Sequence, residues 1–153
     1  MKRLMVLAFL VLMLAAQGCS GAKSPVLPDR ESLLPDDLIG ELAGAPMELA
    51  YDRLDKDSGF ACWAWQDTDG IPRLLAVEIR FPPADCDGLY QRASEGVEGI
   101  IMPEGATACY DGRAAHLRAG AFYARISALG FPAETEALRQ VAEILAGAVR
   151  PNK

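Results

Sequence analysis

The stretch "FACWAWQDTDGIPRLLAVEIRF", residues 60–81, decides the fold class. Its first part alternates, with Phe60, Cys62 and Ala64 on one side of an extended chain and Trp63 and Trp65 on the other. Its second part places Leu75, Val77, Ile79 and Phe81 at period two, and Asp69-Gly70 between the parts is tight-turn chemistry. Two alternating runs joined by such a turn are a β-hairpin. Pro82-Pro83 closes it, because proline cannot donate to a ladder.

Working outward, Met47–Tyr51 reads as a preceding strand and residues 52–59, "DRLDKDSG", as a polar turn. Upstream, Pro35-Asp36-Asp37 has the proline and acidic residues that favour a helix start, and Gly44 with Pro46 stops that helix. Downstream, residues 85–94 suit a short helix, and residues 96–105 a loop around the apolar Ile100-Ile101-Met102. Ala106–Tyr110, Ala114–Arg118 and Ala121–Ala128 are separated by glycine turns and form a meander. From Glu134 to Val149 the apolar Leu138, Val141, Ala142, Leu145 and Val149 recur at helical spacing, ending at Arg150-Pro151. The expectation is an α+β domain: an antiparallel sheet of five to six strands, an N-terminal helix, and an amphipathic C-terminal helix covering one face.

At the N-terminus, Lys2 and Arg3 precede Leu4–Ala16, a run without a polar residue, and Gln17-Gly18 stands before Cys19. The run is ~13 residues where a membrane span needs ~20, which is the layout of a secretory signal peptide. "AAQGC" resembles the bacterial lipobox, with Ala16 and Gln17 at positions more often Leu and Ala or Ser. That resemblance implies cleavage before Cys19 and a diacylglycerol on its sulfur. Ser20 after it is similar to the outer-membrane sorting signal of Gram-negative lipoproteins. The expected organisation is a signal peptide at 1–18, a lipidated cysteine and flexible tether at 19–34, and one domain at 35–150. The expected location is the cell envelope, lipid-anchored and periplasm-facing, on the outer membrane where the organism has one.

The whole chain carries a net charge of −6, and loss of Lys2 and Arg3 with residues 1–18 takes this to −8. No Lys/Arg cluster exists beyond them, so nucleic acid and anionic headgroups are poor partners. Membrane attachment falls to the lipid, since each buried methylene contributes ~0.8 kcal/mol. Cys62, Cys86 and Cys109 remain as thiols in a disulfide-permissive compartment, which predicts one bridge and one free thiol in any of three pairings.

A helix entered through Leu33-Leu34, a strand with Cys62-x-x-Trp65, and a Gly105-Ala106-x-Ala108 strand leading to a glycine-turn hairpin and a closing helix form an ordered set. That set, over most of residues 33–149, resembles small bacterial lipoproteins of unknown function, notably the actinobacterial kind with a cysteine-containing strand, whose fold is similar to PsbP-like domains. The family often carries a cysteine just before the first helix, where this chain has Arg30-Glu31-Ser32. The resemblance implies no catalytic residue.

The candidate chemistry is thin. His116 is the one histidine, has no nucleophile motif near it, and reads as an exposed strand residue. Asp52, Asp55, Asp57, Asp67 and Asp69 lack the spacing of a calcium loop and fit polar turns. Cysteine and histidine spacings lack the pattern of a metal site, and no cofactor is implied. Trp63 and Trp65, together with Tyr123, form the candidate ligand-binding surface, against a core role for the two indoles. The expected function is a non-enzymatic, lipid-anchored envelope protein that binds a protein partner or a small apolar ligand. An envelope hydrolase using His116 or an Asp/Glu pair is the alternative.

Overall fold

The computed structural model describes residue 27 and residues 29–148. Helix α1 is Arg30–Leu33 and α2 is Asp36–Ala43; strands β1 (Met47–Asp55), β2 (Phe60–Asp67) and β3 (Leu74–Arg80) follow. Then come α3 (Cys86–Ser94), β4 (Gly99–Ile100), β5 (Ala106–Tyr110), β6 (Ala114–Ala119), β7 (Phe122–Leu129) and α4 (Glu134–Ala148). The strands form one seven-stranded sheet in the order β1-β2-β3-β7-β6-β5-β4, every neighbour antiparallel.

The α+β expectation holds, with a wider sheet than five to six strands. The additional strand is β4, two residues within the expected loop, which pairs Gly99 with Cys109 and Ile100 with Ala108. β1 also runs four residues beyond Tyr51. The turn is tighter than residues 52–59 because Asp55 Oδ1 accepts the N–H groups of Asp57 and Ser58 and so starts the reversal itself.

The period-two pattern of the quoted stretch is carried out to the residue. Trp63 and Trp65 on β2, Leu75, Val77 and Ile79 on β3, and Phe122, Ala124 and Ile126 on β7 all point to one face and are buried. That inner face is closed by α1, α2 and α4, and α4 lies on β6 and β7 with Leu138, Val141, Ala142 and Leu145 against the sheet. Each large apolar side chain buried there contributes ~1.5–3 kcal/mol, so the inner face carries most of the stability.

Folded contacts begin earlier than residue 35. Asp29 caps α1 by accepting from the Ser32 N–H, and Leu34 has no solvent exposure. Residues 29–34, expected within the tether, are therefore part of the fold. The reason is Trp65: its indole N–H donates to Asp36 Oδ1 at 2.8 Å and the Arg30 guanidinium lies 5.9 Å over its ring, which draws both helices onto the sheet. The signal peptide, Cys19 and Ser20 lie outside the described residues, as does the expected helix end at residues 149–151.

Candidate functional site: the open face of the sheet

Opposite residues on antiparallel strands share a face, so the register gives the composition of the outer face directly. One row across it is Gln66, Leu74 and Leu129; the next is Tyr51, Ala64, Ala76, Ser127 and Ala114. A third row is Arg53, Cys62, Glu78, Arg125, His116 and Cys109, and a fourth is Asp55, Phe60, Arg80, Tyr123, Arg118 and Thr107. Helix α3 lies over β5, β6 and β7. It buries His116, Cys109 and Tyr123, and no described element covers the part on β1, β2, β3 and the outer half of β7.

The open part has two ends. Toward the β2–β3 turn, Tyr51 (46% exposed), Leu74 (41%) and Leu129 (57%) surround the small Ala64 and Ala76, with Ile71 of the turn (51%) beside them. Toward the β1–β2 turn, Phe60 lies between two guanidinium groups, Arg80 at 4.2 Å and Arg53 at 5.8 Å. Arg80 also holds Glu78 through Nε and Nη2, at 3.1 and 2.8 Å. Arg125 is exposed between Glu78 and His116. Three arginines far apart in sequence thus meet on one face of an acidic chain. A signal for the apolar end was present: Leu74 and Leu129 stand out of phase with the buried Leu75–Ile79 and Phe122–Ile126 series.

Beneath α3 is a polar chain. His116 Nδ1 is 2.8 Å from the Tyr123 hydroxyl and Nε2 is 2.9 Å from Asp111 Oδ2. With Asp111 ionised and the ring neutral, Nε2–H donates to the carboxylate and the Tyr123 hydroxyl donates to Nδ1. Burial pushes the Asp111 carboxyl up, but the hydrogen bond from His116 and the N–H groups of Ala114 and Arg113 outweigh it and hold it at about 2. Burial pushes the Tyr123 phenol up. His116 is buried, not an exposed strand residue; it points to the outer face as its phase requires, and α3 covers that part. Both its ring nitrogens are engaged by protein groups, so neither is free to serve a nucleophile.

The candidate ligand surface is divided by the sheet. Trp63 (3% exposed) and Trp65 (0%) belong to the inner core, and Tyr123 lies on the other face under α3. The core role wins because α1 and α2 dock on the indole face. Space for a small apolar ligand is also lacking there: the cavity lined by Leu27, Leu33, Ile79, Leu117, Phe122 and Leu145 has a volume of ≈ 20 Å³, room for one water-sized sphere.

The expected disulfide is absent: Cys62, Cys86 and Cys109 are all free. β2 and β5 are four strand positions apart, ~19 Å, and a disulfide needs Cα atoms within ~7 Å. Cys86 Sγ bonds the Arg80 carbonyl at the start of α3 and Cys109 Sγ bonds the Ala93 carbonyl near its end, ~10 Å along the helix. Burial pushes all three thiols up, so none is an activated nucleophile. Of the aspartates considered for calcium, Asp55 acts in a turn as described, Asp67 accepts from the Asp69 N–H and from Arg73 Nη1, and Asp52 lies within β1 at 3.6 Å from Arg30 Nε.

Compared with protein-family models, curated proteins and solved structures, the chain matches none.

Proposed function

We propose that this chain is a lipid-anchored envelope protein whose domain binds a protein partner through the open face of its sheet. The observation that carries the reading is the outer face over β1, β2, β3 and β7, which no described element covers, where Leu74 and Leu129 stand side by side in solvent and Tyr51 is exposed across Ala64 and Ala76 on the same face. Apolar side chains gathered on one face of an acidic surface mark an interaction site, whereas scattered ones are ordinary. Arg53, Arg80 and Arg125 beside them add directional donors and an aromatic–guanidinium stack, the groups enriched at protein interfaces. The face is open and shallow, which suits a protein more than a small molecule.

Anchoring is proposed from the lipobox resemblance at Cys19 and from the apolar run before it, and the PsbP-like resemblance is kept as a proposal on the motifs that suggested it. A hydrolase is the weaker reading, since His116 is enclosed and both its nitrogens are bonded.

Two experiments test the two halves. Cys19→Ala should release the protein from the membrane fraction or leave an unprocessed precursor; a processed, membrane-retained variant refutes the anchor. A photo-crosslinking residue placed at Leu74 or Leu129 in living cells should give the same adduct from both positions and none from Gln140 on α4. No adduct from either open-face position, or equal adducts from Gln140, refutes the binding face.

A further inference from the structure

The two edges of the sheet differ. At one, β4 is two residues long and is followed within three residues by Pro103, so little ladder is left to offer. At the other, β1 is nine residues long, and its outward N–H and C=O groups pair with no other strand among the described residues. A register shift between Leu49 and Tyr51 breaks the strand, leaving Tyr51–Asp55 as an unbroken edge. This segment includes Leu54, 49% exposed, its one apolar side chain on the inner-face side of the rim.

We infer that β1 pairs with β1 of a second copy, antiparallel and centred on Leu54. Symmetry makes the argument. Two identical strands can pair antiparallel in one sheet only about a two-fold axis perpendicular to it. Each inner face then stays inner, so one residue must lie opposite its own copy. Centring on Asp52, Arg53 or Asp55 sets like charges face to face, which destabilises the pair. Centring on Tyr51 runs the ladder into the register shift at Leu49. Centring on Leu54 buries that leucine against its twin and places Arg53 opposite Asp55 twice, with Asp52 toward Lys56 twice. Asp55 offers Oδ2 for this, since Oδ1 is held by the Asp57 and Ser58 N–H groups, and within one chain that Oδ2 lies a loose 3.8 Å from Arg53 Nη2. The pairing joins two seven-stranded sheets and brings their open faces side by side; it does not depend on what those faces bind. The ladder is short, below the ~1,000 Å² of stable complexes, so the dimer is weak and forms where copies are concentrated.

The test uses the full chain purified in detergent, with the native thiols retained as background. Under mild oxidation Leu54→Cys should give a disulfide-linked dimer, since two-fold partners lie ~4.5–5.5 Å apart between Cα atoms. Asp52→Cys should not, because its copies are offset by four residues, ~13 Å along the strands. In the Leu54→Cys background, Arg53→Asp should lower the dimer yield roughly tenfold, by two lost pairs and two repulsions, whereas Arg53→Lys, which keeps the charge, should leave it within about twofold. Equal crosslinking at 52 and 54, no dimer at 54, or equal yields from Arg53→Asp and Arg53→Lys overturns the inference. Should Leu54→Cys fail to fold, sedimentation of the wild-type, Arg53→Asp and Arg53→Lys chains decides between the same outcomes.

Discussion

Trp65→Phe, combined with Asp36→Ala, is the sharpest probe of how the N-terminal helices are held. The indole of Trp65 has no solvent exposure, and its N–H donates to Asp36 Oδ1 at 2.8 Å. A hydrogen bond to a charged group contributes ~1.5–3 kcal/mol. Asp36 keeps 49% of its side chain in solvent, so water replaces much of the lost donor and the low end applies. The smaller ring also leaves a void that adds ~1 kcal/mol, giving ~2–3 kcal/mol for Trp65→Phe. Asp36→Ala removes further contacts as well, among them Arg30 at 3.5 Å and a favourable charge in the first turn of α2. The double-mutant cycle subtracts these and should leave a coupling of ~1–1.5 kcal/mol. The assay is urea unfolding followed by far-UV circular dichroism, with the m-value checked for constancy across the four proteins. A coupling below ~0.3 kcal/mol would show that the bond carries nothing in the folded state. A cost under ~1 kcal/mol for Trp65→Phe, or free quenching of its fluorescence by acrylamide, would contradict the burial itself.

Glycine replacements separate strain from collision. Gly70→Ala, at φ +78° with open space around it, should cost ~1 kcal/mol. Gly59→Ala should cost at least twice as much by thermal unfolding, because a Cβ there falls 1.9 Å from the Phe81 carbonyl oxygen; equal costs would refute the close approach. Asp111 is held at about 2 in the fold against an ordinary value of 3.8, so its stabilisation is complete above the unfolded value and is lost as pH falls toward 2. Asp111→Asn should therefore flatten the acid limb of stability against pH, and an unchanged limb would count against the His116 contact. Alkylation without reductant should label Cys62, Cys86 and Cys109 in denaturant; a recovered Cys62–Cys109 or Cys86–Cys109 disulfide would contradict their separation.

Much of the architecture was readable because it rests on local periodicity. The hairpin of β2 and β3, the meander of β5 to β7 and the apolar stripe of α4 all follow from spacing that the chain carries within a few residues. Alternation also sorted Trp63 and Trp65 onto one face of their own strand. What alternation cannot do is say which face is covered. The indoles became core because α1 and α2 close on them through Arg30 and Asp36, and His116 became buried because α3 folds back over β5, β6 and β7. A two-residue strand such as β4 has no period to read and exists only through its partner β5.

By itself the sequence determined the fold class and the phase of each strand, since these depend on neighbours along the chain. The tertiary structure decided which side chains meet. Strand order set Phe60 between Arg53 and Arg80, placed Arg125 on the same face, left Leu74 and Leu129 side by side in solvent, and kept Cys62 far from Cys109. Strand order, which brings residues dozens of positions apart to within ~5 Å, is a property of the closed sheet and of no single segment.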